Sequence, residues 1–373
     1  MPAVRSDAEL QDLPLATIRR TPEDFVVDEI PAYAPSGKGE HLFITIRKTG
    51  RNTMDVVREL ARALDADPRS VGYAGMKDRH AVTTQTISLP FPIARPAEEA
   101  LSGVTLAGVE ILGAVRHDNK LKPGHLVGNR FRITLRDLSA EQAASVRARL
   151  EEVGRVGVPN SFGPQRFGRD GDNPERALAW LRGQTRGPRD RREQRLLFSS
   201  LQSLLFNRVL ERRVADGTWA KVLPGDLAKK HDSGGMFLVP ESGPELDDAR
   251  ARAEQGAISA TGPMFGAKMR WPEGAPATLE RDVLEGAGVQ DLQLENFRSH
   301  GEGTRRPLRL MVGDLEVHGP DADGGLTVSF VLPKGGYATT VLAEACRLVD
   351  ASRDRREASE GEDEREQAEG PAD

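Results

Sequence analysis

The chain has 373 residues, 38% of them hydrophobic and 29% charged, which suits about two folded domains of ordinary soluble composition. Its one cysteine, Cys346, excludes an intrachain disulfide and a metal cluster built on cysteines. No apolar run approaches the roughly 20 residues of a membrane span, and residues 1–20 lack the apolar core of a signal peptide. We therefore expect a cytoplasmic protein with no membrane partner.

The formal net charge of −5 does not argue against a nucleic-acid partner, because it resides in one segment. Residues 351–373 hold nine acids against four arginines, a net of −5, and this tail has the composition of a disordered segment. The rest of the chain is neutral and has a basic cluster. Between Arg182 and Arg213 there are nine arginines and three acids, a local excess that is typical of nucleic-acid binding.

In chain order, the first zone runs from Thr17 to about Leu138. Apolar and polar residues alternate there as they do in strands, and one clear helix interrupts them. The alternation predicts strands over 24–30, 41–46, 82–89, 109–112 and 130–135. A helix from Met54 to about Leu64 is predicted, with Thr53 as its cap, and a second helix starts at Ser139 and runs to about Val153.

The second zone begins near Gly154 and is dominated by an amphipathic helix over 191–214. Most of its arginines lie off the apolar stripe, which comprises Leu197, Leu201, Leu204, Leu205 and Val209. Turns and short helices are expected after Val214. The third zone predicts strands over 307–312 and 326–332 and a helix from Thr339 to about Leu348.

This order of sheet, helical module and sheet predicts an α+β protein in which the first and third zones pair into one sheet. The expected domains are a first catalytic part over 1–153, an inserted helix-rich domain over 154–303, a second catalytic part over 304–350, and the tail over 351–373.

The most informative segment is 72–89, which reads GYAGMKDRHAVTTQTISL. Asp78 lies between two cations, Lys77 and Arg79, after a run of small residues and before an alternating strand. Adjacent cations favour the ionised form of an acid and suit work near phosphates. Taken alone, this tripeptide is common on protein surfaces and is better explained as a structural ion pair at the entry to a strand.

Four further segments accompany it. Residues 21–31 read TPEDFVVDEIP, 128–131 read GNRF, 160–168 read NSFGPQRFG and 332–339 read LPKGGYAT. Each is weak alone, but the ordered set closely resembles the motifs of the tRNA pseudouridine synthase D (TruD) family over about residues 19 to 349. The region after Val214 matches less well, and the acidic tail is expected to be an individual extension.

The resemblance implies a pseudouridine synthase sheet core with a large insertion, the two lobes forming a cleft for RNA. It also implies that Asp78 is the catalytic nucleophile and that the substrate is uridine 13 of tRNA. The isomerisation involves neither a redox step nor net hydrolysis, so we expect no cofactor and no metal. No histidine pair has the HxxxH spacing of a metal site.

The chemistry requires one carboxylate close to the ribose, which either attacks C1′ or removes a proton from C2′; the sequence leaves both open. Its cationic partner is open as well. Lys77 and Arg79 are candidates, but in an extended loop they point away from Asp78, so a distant cation such as Arg19 or Arg20 is the alternative.

Substrate contacts are predicted at several positions, each with a structural alternative. Phe131 is the first choice for stacking on the target base, or else a core residue, and Asn129 is placed to read a base or ribose edge. Lys77 and Arg79 fit phosphate contacts. The remaining candidates are Gln165 and Arg166, which also fit hinge packing, and Tyr337, which also fits turn packing.

Two other functions stay open. A non-catalytic tRNA-binding or folding protein would use the 182–213 arginines without needing Asp78. An aspartate-dependent glycoside hydrolase is disfavoured because no second acid accompanies the motif. We expect a monomer.

Overall fold

The computed structural model describes residues 12–163, 166–168, 170–289, 294–295, 298–321 and 323–352. Within them the chain divides into two compact units. Residues 12–155 and 312–352 form one, called here the sheet unit, and residues 156–311 form the other, the inserted unit. Gln165 and the acidic tail from residue 353 onward lie outside the described residues.

The sheet unit is built mainly of strands. They are β1 (Leu15–Ile18), β2 (Phe25–Pro31), β3 (His41–Thr49), β4 (Gly72–Tyr73), β5 (Val82–Pro90), β6 (Val109–His117), β7 (Leu126–Leu135), β14 (Gly313–His318), β15 (Leu326–Pro333) and β16 (Arg347–Asp350). Its helices are α1 (Thr53–Ala63), α2 (Ala97–Ser102), α3 (Ala140–Val156) and α8 (Ala338–Leu342), with 3₁₀ turns at Pro22–Asp24 and Pro68–Ser70.

One mixed sheet joins strands from both sides of the insertion. Its order is β14-β15-β7-β2-β5-β3-β6, with β4 paired on β5. The β2–β5 pair is parallel and the other pairs are antiparallel. The pairing of β7 with β15 confirms the predicted α+β fold, in which the first and third zones share one sheet. Five predicted strands are present and longer than expected, and the strand predicted over 24–30 lies at Phe25–Pro31. Two strands that were not predicted, β1 and β16, pair in parallel with each other.

Helix α1 packs against one face of this sheet through the apolar side chains that the sequence pattern placed on one side. Alternate residues of β3 and β5 meet it, and burial of this apolar surface from water stabilises the unit. The cluster includes Leu42, Ile44, Ile46, Val56, Val57, Leu60, Ile87 and Leu89. Helix α3 begins as predicted, since Ser139 and Gln142 exchange side-chain to backbone hydrogen bonds in a capping box.

The inserted unit surrounds the long amphipathic helix. Its helices are α4 (Asn173–Leu181), α5 (Arg191–Ala215), α6 (Pro244–Glu254) and α7 (Gly274–Gly286). Its strands are β8 (Val158–Pro159), β9 (Leu227–Lys230), β10 (Met236–Leu238), β11 (Ile258–Met264), β12 (Thr304–Pro307) and β13 (Arg309–Leu310). Four of them form a sheet in the order β10-β9-β11-β12. The apolar side of α5 packs into two clusters of the unit through residues such as Leu201, Leu205 and Phe206.

Two local predictions were wrong. Turns and short helices were expected after Val214, but that region also carries most of the four-stranded sheet, whose β11 is fully buried and lacks a clear alternation. The predicted strand over 307–312 is divided into β12 and β13, and these lie in the inserted unit. Among the described residues, no helix is long and apolar enough to cross a membrane.

Candidate active site

Asp78 lies in the short loop that leads from β4 into β5, and its side chain is about half exposed (57%). The strand before this loop requires a glycine. A Cβ on Gly72 would lie 2.2 Å from the carbonyl oxygen of Leu121, so only glycine allows the two backbones to approach this closely.

Arg19 is the cation that holds the Asp78 carboxylate. Its Nη2 donates to Asp78 Oδ2 at 2.9 Å, and its Nη1 donates to Asp350 Oδ2 at 2.6 Å. The guanidinium side chain is only 12% exposed. The neighbouring Arg20, the other distant candidate, instead pairs with Asp137, and both of those side chains are half exposed. The structure therefore distinguishes two adjacent arginines that the sequence left equivalent.

Three features fix the position of Arg19. Its guanidinium carbon lies 3.8 Å from the centre of the Phe25 ring, a cation–π contact. Asp350, at the end of β16, holds the second guanidinium nitrogen. The backbone of Arg19 has φ 56°, which is uncommon for a residue other than glycine and turns the chain sharply after β1. Such conformations persist where surrounding contacts determine them, and they cluster at functional sites.

The carboxyl group of Asp350 reflects the same arrangement. Burial alone would raise its pKa, but hydrogen bonds from Ser352 and the positive charge of Arg19 outweigh that effect and lower the pKa. Asp350 is therefore a stable anionic support for the guanidinium.

Beneath the loop lies a buried lysine that the sequence analysis did not anticipate. Lys48, on β3, is fully buried, and its Nζ donates to the backbone carbonyl oxygens of Asp78 and Arg51, each at 2.7 Å. Burial lowers the pKa of Lys48 to about 8, an effect that the charge of Asp78 partly opposes. Lys48 thus ties the backbone of the candidate nucleophile to the segment that precedes α1.

A second anchor acts one residue earlier. The backbone N–H of Lys77 donates to Thr53 Oγ1 at 3.1 Å, and this hydroxyl lies 3.2 Å from Gln85 Oε1. Thr53 was predicted to cap α1, which is wrong: Asn52 occupies the N-cap position and Thr53 is the first helical residue. Its hydroxyl positions the Asp78 loop instead.

The side chain of Lys77 points inward. Its Nζ forms a salt bridge with Glu29 at 2.9 Å and donates to Asn129 Oδ1 at 2.7 Å, and the Lys77 and Glu29 side chains are at most 5% exposed. The prediction that Lys77 pairs with Asp78 is therefore corrected, because Lys77 forms its salt bridge with Glu29. Its buried side chain also does not fit the phosphate contact that we had considered for it. Arg79, by contrast, is exposed and stays a candidate for phosphate contact.

Asn129 and Phe131 lie on the same face of β7 but in different surroundings. Asn129 is half buried, and with its oxygen taken by Lys77 its amide nitrogen is left to donate elsewhere. Phe131 is only 7% exposed, stacks on Phe330 and meets the edge of Phe25. This placement corrects the choice of Phe131 as a base-stacking platform: the ring is a core residue that supports Phe25 and, through it, Arg19.

The glycine of the GNRF motif has a packing reason. A Cβ on Gly128 would lie 2.1 Å from the carbonyl oxygen of Leu332, across the β7–β15 pair. After β15 the chain turns, and Lys334 donates its backbone N–H to Val127 and its ammonium to the carbonyl of Gly124. Tyr337 follows at the N-cap of α8 and is 38% exposed, so it stays available for a substrate contact.

The remaining candidates belong to the inserted unit. Arg166 donates to the hydroxyl of Ser203 and lies over the Phe162 ring, an arrangement that fits packing at least as well as RNA contact. In α5 the exposed arginines are Arg191, Arg192, Arg195, Arg208 and Arg212. Arg213 is different: it is 3% exposed and forms a bidentate pair with Asp226, so its expected contact with an RNA backbone is corrected.

No group of three or more His, Cys, Asp or Glu side chains in the described part of the chain is arranged to hold a metal ion. The Asp78 loop presents a half-exposed carboxylate that is paired with the guanidinium of Arg19. Such a group serves as a nucleophile or as a base.

Comparison with known proteins identifies the family of this chain. A sequence model of the tRNA pseudouridine synthase D (TruD) family matches residues 15–176 and 190–345. The chain belongs to this family. It is 44% identical to the tRNA pseudouridine synthase D of Anaeromyxobacter sp. (strain Fw109-5), covering 94% of this chain and all of that protein. It is 43% identical to that of Thermus thermophilus, covering 91% of each.

The fold is shared as well. A crystal structure assigned to a tRNA pseudouridine synthase D (TruD) of Methanosarcina mazei superimposes with a TM-score of 0.71 over 93% of this chain and 98% of that one, at 24% identity. The family resemblance inferred from the five motifs is thereby confirmed.

Three residues at the candidate site were not predicted from the sequence. Asp350 gave no signal, because it is brought to Arg19 only by the β1–β16 pair. Glu29 stood inside a quoted motif without an assigned role. Lys48 had a detectable signal: it continues the parity of Leu42, Ile44 and Ile46, so the alternation places a lysine on the apolar face of β3.

Proposed function

We propose that this chain isomerises a uridine of tRNA to pseudouridine, with Asp78 as the catalytic carboxylate, and that the target is uridine 13. The observation that carries the proposal is the Arg19–Asp78 pair at the centre of the family motif. Arg19 holds the carboxylate of Asp78 and Lys48 holds its backbone, so the position of this residue is set. The side chain is half exposed, so substrate can still reach it. Membership of the TruD family supports the reaction and the substrate class.

The reaction moves one glycosidic bond. The N1–C1′ bond of the uridine breaks, the uracil rotates, and a C5–C1′ bond forms while the C5 proton is lost and N1 gains a proton. Asp78 either attacks C1′ and forms a transient ester or removes a proton from C2′ to give a glycal. In both routes the carboxylate acts from a fixed position, and such positioning makes a large contribution to rate.

The roles of the neighbouring residues follow from their contacts. Arg19 orients Oδ2 of Asp78, and Lys48 fixes the backbone of the same residue. Lys77, which is paired with Glu29, donates to the side-chain oxygen of Asn129, and we propose that the Asn129 amide nitrogen donates to a base or ribose oxygen. Arg79 and the exposed arginines of α5 are proposed contacts for RNA phosphates, and Tyr337 is a proposed substrate contact.

The decisive experiment compares wild-type and Asp78→Asn protein on unmodified tRNA transcript, with position-resolved detection of pseudouridine. We expect the wild type to form product at one D-arm uridine. The Asp78→Asn variant should retain RNA binding, but its rate should be below about one-thousandth of the wild-type rate. Asp55→Asn is the matched control, because Asp55 is a half-exposed aspartate whose ion pair among the described residues is with Arg58.

The other functions give different results. Wild-type protein that binds tRNA but forms no pseudouridine would indicate a non-catalytic tRNA-binding or folding protein and would leave Asp78 as a structural ion pair. Release of free uracil would indicate a hydrolase. Product at a position other than 13 would correct the proposed target and leave the reaction in place.

A further inference from the structure

Three large apolar side chains are exposed on the segments that surround the candidate nucleophile. They are Met76, which is 63% exposed, Val127, which is 57% exposed, and Tyr337, which is 38% exposed. Here they are called the apolar rim. Isolated exposed apolar residues are common on protein surfaces, so the position of these three is what matters.

Backbone contacts tie the three segments together. Lys334, three residues before Tyr337, donates its N–H to the carbonyl of Val127 at 3.1 Å. Gly124 donates to the carbonyl of Ala74 at 2.8 Å, two residues before Met76. The segments of the apolar rim therefore meet around the Asp78 loop rather than at separate places on the sheet unit.

The orientation of Met76 is set by its neighbours. The side chain of Lys77 points inward to Glu29 and is 5% exposed, while the side chain of Asp78 is 57% exposed. Met76 and Asp78 flank an inward residue, and both side chains reach solvent. Val127 lies near the start of β7, where the register with β2 shifts, and its side chain is 57% exposed.

We propose that the apolar rim is the contact surface for the bases on either side of the target uridine, with Met76 as its central member. The inference rests on the proposed function, because a target base reaches Asp78 only after it leaves its stack. The bases next to it then lose a stacking partner, and apolar side chains replace that contact. A methionine suits this role since its flexible thioether adapts to flat rings of different shape.

The charges around the apolar rim favour RNA over an apolar protein partner. Lys122 and Lys334 are exposed on the two turns that join its segments, and Arg79 is exposed just beyond the nucleophile. Cations next to apolar side chains match a strand of phosphates and unstacked bases. A protein partner would be indicated instead if loss of Met76 left RNA affinity unchanged.

The test is a coupling experiment on RNA affinity in the Asp78→Asn background, which separates binding from turnover. One arm compares Met76 with Met76→Ala. The other compares an unmodified tRNA transcript with the same transcript carrying abasic nucleotides directly before and after uridine 13. We expect Met76→Ala to weaken binding of the intact transcript about 10-fold and to leave binding of the abasic transcript unchanged, because the bases that Met76 contacts are absent from the second transcript.

Ile93→Ala is the matched control. Ile93 is 66% exposed but follows the far end of β5, so its loss should leave affinity unchanged on both transcripts. The proposal would be overturned if Met76→Ala bound the intact transcript as tightly as its parent. It would also be overturned if Met76→Ala lowered affinity for the abasic transcript as much as for the intact one. Pseudouridine formation by the otherwise wild-type protein is measured separately, so absence of product would refute the proposed function while the affinities still decide the role of the rim.

Discussion

Arg19 and Arg20 are adjacent in the sequence, but their surroundings differ. Arg19 is largely buried and connects Asp78 to Asp350, whereas Arg20 forms an exposed pair with Asp137. Exposed pairs contribute about 0–1 kcal/mol, while a small misplacement of a catalytic group lowers rates by about 100-fold. The two arginines therefore provide a matched comparison of positioning against surface charge.

We predict that Arg19→Gln lowers kcat for pseudouridine formation about 100-fold, because Asp78 loses its fixed donor. Arg20→Gln should stay within about 5-fold of the wild type. Single-turnover rates at saturating enzyme, with thermal unfolding as a check on folding, provide the measurement. Equal losses in the two variants would show that the Arg19 pair does not position the carboxylate.

Lys48 gives a prediction of pH dependence. Burial lowers its pKa from 10.5 to about 8, so above pH 8 the folded protein loses a proton that the unfolded chain retains up to about pH 10.5. In that window this group makes folding more favourable as the pH rises, since the unfolded state binds more protons. At the same time its charge-assisted bond to the Asp78 carbonyl weakens.

We therefore expect kcat to fall above pH about 8 without a loss of stability caused by Lys48. The Lys48→Met variant should have a lower kcat throughout and should lack this alkaline limb. Rate profiles from pH about 6.5 to about 9.5, with unfolding free energies measured at the same pH values, test both statements. An unchanged alkaline limb in Lys48→Met would assign the titration to another group.

These residues also show how far the sequence leads. The sequence was enough to name the motif around Asp78, because this motif is a short local pattern of residue type and spacing. Arg19 could be named only as one of several possible partners of Asp78. Phe131 and Lys77 could not be placed, because whether a strand or loop side chain faces the core depends on which strands pair. Asp350 could not be found, since its contact with Arg19 joins residues 331 positions apart.

At the scale of elements, the pairing of β7 with β15 explains how a chain with a long insertion builds one site. The pair sets Leu332 opposite Asn129 and Pro333 opposite Gly128, which brings the LPKG turn beside the GNRF motif. This pairing leaves no room for a side chain at Gly128. Alternation predicted both strands, but the close approach of their backbones is a tertiary property that no local pattern contains. For the same reason the helix predicted from Thr339 to about Leu348 ends at Leu342, since the chain beyond it pairs with β1 as β16.

We predict that Gly128→Ala destabilises the protein by about 1–3 kcal/mol, because the new methyl group displaces the backbone of β15. The same change at Gly113, a glycine of β6 where a Cβ would meet no heavy atom within 4 Å, should be neutral or slightly stabilising. Denaturant unfolding of the two variants measures the difference. A neutral Gly128→Ala would mean that the strand pair adjusts without cost.

At the scale of the whole molecule, charge is distributed unevenly. The acidic tail accounts for the formal net charge, and the basic cluster over 182–213 includes the exposed arginines of α5. One arginine of α5 does not contribute to the exposed positive charge, because Arg213 is buried and paired with Asp226. The sequence could count the arginines, but only the packing of α5 shows which of them face solvent.

If the exposed arginines of α5 contact the tRNA backbone, their removal should change the salt dependence of binding. Each phosphate contact contributes about 0.7–0.9 to the slope of log affinity against log salt concentration. We predict that replacing Arg191 and Arg195 together with Gln lowers the slope by about 1.5 and weakens binding most at low salt. The matched control replaces Arg250 and Arg252 of α6, which removes the same charge from the same unit, but these arginines pair with Asp247 and Asp248. Equal slopes for the two double variants would mean that net charge alone attracts the RNA, and that α5 presents a solvated face.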